Sequence, residues 1–354
     1  MARDRVAVTG GTGFLGSHIV EALLASGYKV SCLVRPARPL GWLEGLNVKV
    51  VRGDLDAKGP VGSSFEVLDE LLEGCHTVVH VAGLTRAISE DQFRVVNVLG
   101  SAKLAAAAKK SGVRHIIAIS SQAAVGPTPD MACKAAARDQ DQYFKTPSET
   151  PSVVMGDPGE LRPISAYGRS KAEMEGVMRE IAAPIPCTIL RPPTAYGPRD
   201  KDTRALFALA KRGLRVSLNK KSRLSFLYAK NLAQAVVCCV ERPAAWGGDF
   251  MLADGAPLTW GEFAAMIAQA AGRPGLAVNL PPWLLTAAAG AATILQPFSR
   301  KPHLITKDKV LEGRQHLWIA DTTKTETILG FHPQWTTAQG IAETYSWYES
   351  QGWI

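Results

Sequence analysis

Hydrophobic positions along the earlier part of the chain alternate between short continuous apolar runs and longer segments whose apolar residues lie three or four positions apart. Continuous runs are typical of strands buried on both faces, and the wider spacing is typical of amphipathic helices. The pattern predicts strands at 5–9, 29–34, 113–119, 186–191 and 249–252, and helices at 13–26, 91–111, 165–182 and 230–240. This alternation predicts an α/β fold with a doubly wound parallel (Rossmann) sheet.

The pattern becomes irregular from Pro192 onward, and this change predicts how the chain divides. We expect a sheet domain at 1–191 with a returning segment at about 226–256, and a smaller substrate-binding lid at 192–225 and 257–354. Such a lid covers the carboxyl ends of the strands, where parallel sheets bind ligands. Residues 128–163 are rich in Pro, Asp, Lys and Ser, so they predict an irregular insertion.

An alanine-rich run, Leu104 to Ala108, lies within one predicted helix. Small side chains let a helix approach its neighbour closely. That neighbour is either the core of the same chain or a second copy of it. We expect a homodimer, and both positions for this run stay open.

Composition places the chain among globular proteins and excludes several classes. With 354 residues, of which 46% are hydrophobic, the chain can bury a full core. The net charge is +8, but Lys and Arg are dispersed and no nucleic-acid-binding module is recognised, so we expect no nucleic-acid partner. The denser basic stretch at 211–223 fits either a solvated loop or a site for an anionic substrate.

Cysteine usage and the N-terminus bear on the compartment. The cysteines show no metal-ligand spacing and several lie in apolar runs, so reduced core cysteines and no bound metal are expected. The residues MARDRVAV lead straight into the first strand without a signal-peptide pattern. We therefore expect a cytoplasmic protein.

A glycine-rich loop, within VAVTGGTGFLG at Val6 to Gly16, joins the first strand to the first helix. Glycine permits a tight turn and lets the backbone approach a pyrophosphate at the helix N-terminus. In this strand–helix context the loop predicts a dinucleotide site. The expected contacts are Gly10, Thr12, Gly13, Phe14, Leu15 and Gly16.

The residue after the second strand is Arg35. An acidic residue there would bind the ribose 2′-hydroxyl of NAD, whereas arginine suits the 2′-phosphate of NADP. Arg38 could assist. We expect NADP as the cofactor, with NAD and a merely solvated arginine as the alternatives.

Tyr167 and Lys171 lie four residues apart, so both project from one helix face. A free tyrosine has a pKa of about 10, and a nearby ammonium favours its phenolate. The strand that precedes them in the sheet ends in paired serines, Ser120 and Ser121. A hydroxyl there could hold a substrate oxygen while Tyr167 transfers a proton.

The two motifs together resemble the extended short-chain dehydrogenase/reductase group, the NAD-dependent epimerase/dehydratase family, over nearly all of the chain. Further similar stretches are GDL at 53–55, VVHVAG at 78–83, Asn97, ISSQAAVGP at 119–127, LRPPTAYGPRD at 190–200 and FLYAKNLAQAV at 226–236. By resemblance, the catalytic residues are Ser121, Tyr167 and Lys171, with Ser120 as the alternative serine. The additional cofactor contacts implied are Asp54, Leu55, Ala82, Gly83, Pro192 and Thr194.

Two stretches distinguish branches of that family. SSQAAVGP is similar to 3β-hydroxysteroid dehydrogenases, whereas sugar epimerases usually carry VYG there and this chain has no tyrosine after Val125. Lys230 and Asn231 stand where the family commonly has an acidic pair, so the role of that helix start is open.

The segment Leu280 to Phe298, LPPWLLTAAAGAATILQPF, is apolar but too short and too interrupted by proline to span a membrane. Three alternatives stay open: a buried lid helix, a wall for a lipophilic substrate, or peripheral membrane contact through 281–298.

Three classes of function remain. The first is an NAD(P)-dependent oxidoreductase that transfers a hydride between nicotinamide and a lipophilic alcohol or ketone, like 3β-hydroxysteroid dehydrogenases, with or without coupled decarboxylation. The second is a nucleotide-sugar epimerase or dehydratase, and the third is a non-catalytic cofactor-binding subunit. The intact Ser121, Tyr167 and Lys171 argue against the third, and the apolar segment favours the first.

Overall fold

The computed structural model describes residues 4–55, 66–129, 161–217, 222–279 and 307–354. The segment 280–298, most of the insertion at 128–163 and Cys133 therefore lie outside the described residues. The strands are β1 Arg5–Thr9, β2 Lys29–Val34, β3 Val48–Arg52, β4 Cys75–His80, β5 His115–Ile119, β6 Cys187–Arg191, β7 Thr194–Tyr196, β8 Leu214–Ser217, β9 Arg223–Leu224, β10 Phe226–Tyr228, β11 Asp249–Met251, β12 Leu276–Asn279 and β13 Leu317–Trp318.

The helices cover both faces of the main sheet and build the C-terminal part. The α-helices are α1 Phe14–Ala25, α2 Glu66–Leu72, α3 Glu90–Phe93, α4 Gly100–Lys110, α5 Gln122–Val125, α6 Ala166–Ala182, α7 Arg204–Lys211, α8 Ala229–Glu241, α9 Trp260–Ala270, α10 Lys307–Arg314 and α11 Thr337–Ser350. A π-helical segment, Arg94–Leu99, joins α3 to α4, and another is Thr325–Leu329. No helix among these described residues combines the length and the apolarity needed to cross a membrane.

Seven parallel strands form the main sheet in the order β11-β6-β5-β4-β1-β2-β3. The inner strands are buried on both faces because α1 and α8 pack on one side and α4 and α6 on the other. The order reverses at β1, so the crevice beyond the carboxyl ends of β1 and β4 is the place where such sheets bind ligands. The prediction of a doubly wound parallel sheet is confirmed.

The alanine-rich run lies inside the chain's own core. Leu104, Ala105, Ala107 and Ala108 are fully buried in the cluster that α4 shares with α6 and the sheet. These side chains are therefore not available as a dimer face, and the homodimer stays a prediction without this run as its support.

The C-terminal part builds a second core, which is mainly aromatic. Short parallel ladders join β10 to β7, β12 to β8 and β13 to β9. Phe226 stacks on Phe263 with 4.1 Å between ring centroids, and Tyr196, Phe207 and Tyr348 are fully buried around them. Near the end of the chain, Leu329 and Phe331 return to the first core. The two cores are thus connected by the chain more than once.

Asn231 and Lys230, the departures from the acidic pair, connect α8 to the C-terminal residues. The buried Asn231 amide donates to Asp254 at 2.7 Å and to the carbonyl of Trp335 at 2.8 Å, and its oxygen accepts from the amide of Trp335. Lys230 forms an ion pair with Glu343. Both residues therefore serve tertiary structure. In the basic stretch nearby, Lys211 pairs with Glu349 at 3.1 Å.

Helix α6 packs against α5 with almost no clearance at Gly168. A Cβ atom placed on Gly168 would lie 2.3 Å from the carbonyl oxygen of Ala123, so only glycine fits without movement. At the other end of α5, Gly126 has a φ of 93°, and its Cβ would lie 2.2 Å from the carbonyl oxygen of Arg162. These two glycines bring the start of α6 against α5.

Gly168→Ala tests this close packing, with Gly176→Ala as the matched control in the same helix. A Cβ on Gly176 meets nothing within 4 Å. We expect Gly168→Ala to lower the free energy of unfolding by about 1 to 3 kcal/mol, because the new methyl group overpacks the contact with Ala123. Gly176→Ala should raise it by about 0.5 to 1 kcal/mol, because alanine has the higher helix propensity. Urea unfolding of both variants measures the difference. Equal effects would contradict the packing argument.

Candidate active site

The glycine loop after β1 packs directly against the end of β4. Gly10 has a φ of 75°, and a Cβ there would lie 2.7 Å from the amide nitrogen of Ala82. A Cβ on Gly16 would lie 2.2 Å from the carbonyl oxygen of Gly10. A side chain at either position would clash with backbone atoms, so only glycine lets the loop pack this closely beside the groove at the ends of β1 and β4.

The N-terminus of α1 can accept an anion. Gly13 is the N-cap residue in an extended conformation, and no side chain caps the helix there. The first amides of a helix have no intrahelical partner and carry partial positive charge. This bare helix start beside a glycine groove fits a dinucleotide pyrophosphate. Thr12, Phe14 and Leu15 border it, as the sequence predicts.

The loop after β2 exposes Arg35 and Arg38. The guanidinium of Arg52, from the end of β3, donates to the carbonyl oxygens of Arg35 at 3.3 Å and Arg38 at 2.6 Å. Arg35, Arg38 and Arg52 therefore lie together beyond the ends of β2 and β3. Arg52 is not among the residues predicted from the sequence, although an arginine at the end of the neighbouring strand was a visible signal. Beyond it, Asp54 is exposed and Leu55 is buried.

A chain of hydrogen bonds joins β1, β4 and α4 beneath the cofactor groove. The Thr9 hydroxyl lies 2.7 Å from Nδ1 of His80, and Nε2 of His80 lies 2.7 Å from the Ser101 hydroxyl. Ser101 donates to the carbonyl of Asn97 at 2.6 Å, and Thr9 accepts from the amide of Ala82. Since Ser101 uses its proton on Asn97, His80 must donate from Nε2 and accept at Nδ1. Burial lowers the pKa of His80 to about 3, so the neutral ring is the stable form.

Asn97, in the π-helical segment, continues this chain toward the catalytic helix. Its side chain accepts from the amide of Leu84 at 2.7 Å and donates to the carbonyl of Leu84 and to the hydroxyl of Ser170. A Cβ on Gly83 would lie 3.1 Å from Oδ1 of Asn97 and 3.4 Å from Nζ of Lys171. Asn97 therefore holds the end of β4 beside the lysine, a role that its appearance in the sequence did not reveal.

The two adjacent serines at the end of β5 have different partners. Ser120 is buried and its hydroxyl donates to the carboxylate of Glu175. Ser121 is the N-cap of α5, where its oxygen accepts from the amide of Ala123 at 3.1 Å, and its hydroxyl interacts with the phenol of Tyr167, whose pKa it lowers. Ser121, the preferred choice of the sequence analysis, is the serine that faces Tyr167.

Tyr167 and Lys171 project from the first turns of α6, and Ser165 caps this helix by accepting from the amide of Gly168. Burial raises the pKa of Tyr167 to about 12, and the interaction with the Ser121 hydroxyl opposes this shift. Burial also lowers the pKa of Lys171 to about 8. The sequence-based expectation emphasised the phenolate, whereas the protein's own groups favour the neutral tyrosine. The physical reason is that desolvation disfavours the charged form of both groups.

Glu175 anchors α6 to the sheet one turn beyond Lys171. Its carboxylate accepts from Arg191, at the end of β6, at 3.0 and 2.6 Å, and Arg191 also binds Asp249 at 2.9 Å. The Glu175 and Arg191 side chains are 1% and 3% exposed, so both charges are out of water and paired with each other. Lys171 itself donates to the carbonyl of Ile119 at 2.8 Å.

The chain after β6 completes the site. The carbonyl of Pro192 accepts from the amide of Gln122 at 2.9 Å, and Thr194 opens β7 nearby in sequence. The predicted residues thus lie after neighbouring strands of one sheet edge and on the helix that faces it: Gly10, Thr12, Gly13, Phe14, Leu15, Gly16, Arg35, Asp54, Leu55, Ala82, Gly83, Ser121, Tyr167, Lys171, Pro192 and Thr194.

Known proteins are similar to this chain over its whole length. A ceramide reductase of Caulobacter vibrioides is 29% identical over 357 residues, which is 100% of this chain and 97% of that protein. Sterol demethylase protein B of Methylococcus capsulatus is 25% identical, covering 98% of this chain and 99% of the relative. The fold is shared with a UDP-glucose 4-epimerase of Thermotoga maritima solved with UDP-glucose, at a TM-score of 0.71 and 20% identity, covering 98% of this chain and 99% of that one.

The sequence model of one family spans both motifs and the sheet that carries them. It matches residues 6–253, from β1 to the strand at the far edge of the main sheet. The chain belongs to the NAD dependent epimerase/dehydratase family.

Proposed function

We propose that this protein is an oxidoreductase that transfers a hydride between a nicotinamide nucleotide and the carbinol or carbonyl carbon of a lipophilic alcohol or ketone. The family and the relatives consist of NAD(P)-dependent enzymes that act on CH–OH groups, and the chain is an enzyme of this kind. The narrower proposal rests on the interaction of Ser121 with Tyr167. Lys171 lies one helical turn further along α6, and its Nζ is beside Gly83.

The mechanism assigns one task to each of three side chains. When bound in the glycine groove, a nicotinamide nucleotide supplies or accepts the hydride. Ser121 donates to the substrate oxygen and holds it next to the hydroxyl of Tyr167. Tyr167 gives a proton to that oxygen as a carbonyl becomes an alcohol, or takes it in the opposite direction. Lys171 would hold the cofactor ribose, and its ammonium would stabilise the phenolate after proton transfer.

The protonation state of Tyr167 supports the reductive direction. With a pKa raised to about 12 by burial, the hydroxyl keeps its proton at neutral pH. A neutral tyrosine is the form that donates a proton to a carbonyl oxygen. We therefore propose that Tyr167 donates the proton when the enzyme reduces a ketone.

NADP is the cofactor that we propose within this NAD-binding family. Arg35 and Arg38 are exposed on one loop, and Arg52 fixes that loop through its carbonyl oxygens. Arginine binds phosphate through several donors in a planar fork. A 2′-phosphate would be recognised there, whereas the 2′-hydroxyl of NAD would bring no charge to meet the arginines.

A lipophilic substrate is supported by three independent observations. The stretch SSQAAVGP resembles 3β-hydroxysteroid dehydrogenases, the segment 280–298 is apolar in sequence, and two full-length relatives carry lipid names, a ceramide reductase and a sterol demethylase. We propose a 3β-hydroxysteroid-like alcohol or ketone, or a lipid ketone of similar bulk.

The alternative function is a nucleotide-sugar epimerase or dehydratase. It is favoured by the family's range of reactions and by the fold shared with a UDP-glucose 4-epimerase. The homodimer, the cytoplasmic location and the membrane contact of 281–298 remain predictions from the sequence.

Tyr167→Phe tests the proton-transfer role. It keeps the ring and removes the hydroxyl, so turnover should fall by at least ~100-fold, the scale of general acid–base loss. Cofactor affinity and the melting temperature should stay close to those of the wild type. Lys171→Ala should weaken cofactor binding as well as turnover. Steady-state kinetics with fluorescence titration of the cofactor separates the two effects, and near-normal turnover by Tyr167→Phe would refute the assignment.

Arg35→Asp tests the cofactor proposal. The substitution places a carboxylate beside the 2′-phosphate, so NADP affinity should drop by at least about tenfold while NAD affinity holds or rises. Arg114→Asp is the matched control, since Arg114 is an exposed arginine that precedes β5 at the amino ends of the strands, where it pairs with Asp4. Titration of both cofactors decides. If the wild type prefers NAD and Arg35→Asp does not change that preference, Arg35 is only a solvated arginine.

A substrate screen separates the two enzyme classes. Turnover of NADPH with 3-ketosteroids or other lipophilic ketones, and of NADP with 3-hydroxysteroids, is expected, with little effect of UDP-sugars or dTDP-sugars. The physical reason is that an apolar wall gains from burying a hydrocarbon body and offers few partners to a diphosphate. Tight UDP-sugar binding without response to any lipophilic compound would favour the epimerase.

A further inference from the structure

Helix α10 contacts the first turn of the catalytic helix. The hydroxyl of Ser165 donates to the carboxylate of Glu312 at 2.6 Å, and the amide of Ala166 donates to the carboxylate of Asp308 at 2.9 Å. Asp308 and Glu312 are four residues apart, so both acids lie on one face of α10. A helix 142 residues further along the chain therefore binds α6 at the residue that precedes Tyr167.

These contacts satisfy donors that the helix itself cannot satisfy. The first amides of α6 have no intrahelical acceptor and lie at the positive end of the helix dipole. Ser165 accepts from the amide of Gly168 at 3.0 Å, and Asp308 accepts from the amide of Ala166. Tyr167 lies between these two capped residues. Its backbone is consequently fixed from both sides, in part by a carboxylate from α10.

The ring of Tyr167 is also in contact with several groups. Phe93 lies at 5.9 Å between ring centroids, and Nζ of Lys309 lies 5.9 Å from the centre of the tyrosine ring. Lys309 forms an ion pair with Glu312 at 2.9 Å. Burial raises the pKa of Tyr167, and the charge of Glu312 raises it further.

Other charges around the tyrosine are accounted for by their own partners. On α6, the ammonium of Lys171 donates to the carbonyl of Ile119, and Arg169 pairs with Glu90 of α3. From α5, Ser121 provides a hydroxyl and no charge. Glu312 is thus the acid whose charge acts on Tyr167 across the interface with α10.

The same C-terminal segment also contacts the chain that follows Ser121. The indole of Trp318 donates to the carbonyl of Glu312 at 3.0 Å and ties β13 to α10. In turn, the amide of Thr128 donates to the carbonyl of Leu317 at 2.9 Å, and the Thr128 hydroxyl accepts from the amide of Ile319. Thr128 lies just after α5. One segment therefore touches both the serine side and the tyrosine side of the site.

We propose that Asp308 and Glu312 are positioning residues for Tyr167, and that α10 sets the relation of the tyrosine to Ser121 by capping the first turn of α6. This inference rests on the proposed acid–base role of Tyr167. Glu312 has a second effect, because its negative charge disfavours the phenolate in addition to the larger effect of burial.

Asp308→Ala and Asp308→Asn test the cap. Alanine removes the acceptor for the amide of Ala166, whereas asparagine retains a side-chain oxygen. We expect Asp308→Ala to speed amide hydrogen exchange across residues 166–170 by about tenfold and to lower kcat to a similar extent, with unchanged affinity for NADP and NAD. Asp308→Asn should restore most of both. Asp321→Ala is the matched control, since Asp321 accepts from the amide of Thr323 within its own turn.

Glu312→Gln tests the electrostatic part without needing a substrate. It keeps the shape and removes the charge, so the pKa of Tyr167 should fall, by about 0.5 unit or more. Tyrosinate absorbance, titrated with NADP⁺ present and compared with the same titration in a Tyr167→Phe background, isolates this group. Glu326→Gln is the control, because Glu326 accepts from the hydroxyl of Thr322 in the same way. A purely structural role for Glu312 would leave the titration of Tyr167 unchanged.

The outcomes distinguish this inference from the proposed function. If Tyr167→Phe abolishes turnover while Asp308→Ala and Glu312→Gln behave like their controls, α10 does not position the tyrosine and the proposed function stands. If the exchange and titration effects appear but Tyr167→Phe keeps its activity, α10 does hold Tyr167 and the acid–base assignment fails.

Discussion

The buried carboxylate of Glu175 is the interaction on which the site depends. It joins the catalytic helix to the ends of two strands by accepting from Ser120 after β5 and from Arg191 at the end of β6. A buried charge is tolerated only when it is paired and hydrogen-bonded, so these partners leave α6 little freedom to slide along the sheet. Tyr167 and Lys171 lie within the two turns that precede Glu175, and their positions follow from this anchor.

The hydrogen-bond chain through His80 likewise fixes β1, β4 and α4 relative to one another beside the glycine loop. It runs from the amide of Ala82 through Thr9, His80 and Ser101 to the carbonyl of Asn97. In each of these hydrogen bonds the donor is fixed, and every group donates to the next one in the chain. Burial lowers the pKa of His80 and keeps its ring neutral, which this direction requires. The groove for the dinucleotide and the helix that carries the lysine are therefore parts of one connected framework.

The C-terminal part contributes more than a cover over the sheet. Asn231 of α8 binds the backbone of Trp335, Leu329 and Phe331 return to the first core, and α10 reaches the start of α6. Such contacts couple the C-terminal part to the start of the helix that carries Tyr167. A change in how α10 packs would reach Tyr167 directly, through the hydroxyl of Ser165 and the amide of Ala166.

The sequence by itself determined the alternating strands and helices, the glycine loop, and the common face of Tyr167 and Lys171, because each depends on spacing within a few consecutive residues. It also led to Ser121, but only the tertiary structure separated Ser121 from Ser120, whose hydroxyl is committed to Glu175. The roles of Arg52, Asn97, Asp308 and Glu312 were decided by tertiary structure as well. Their partners lie far away in the chain, and local spacing carries no information about which distant backbone groups will be brought within hydrogen-bonding distance.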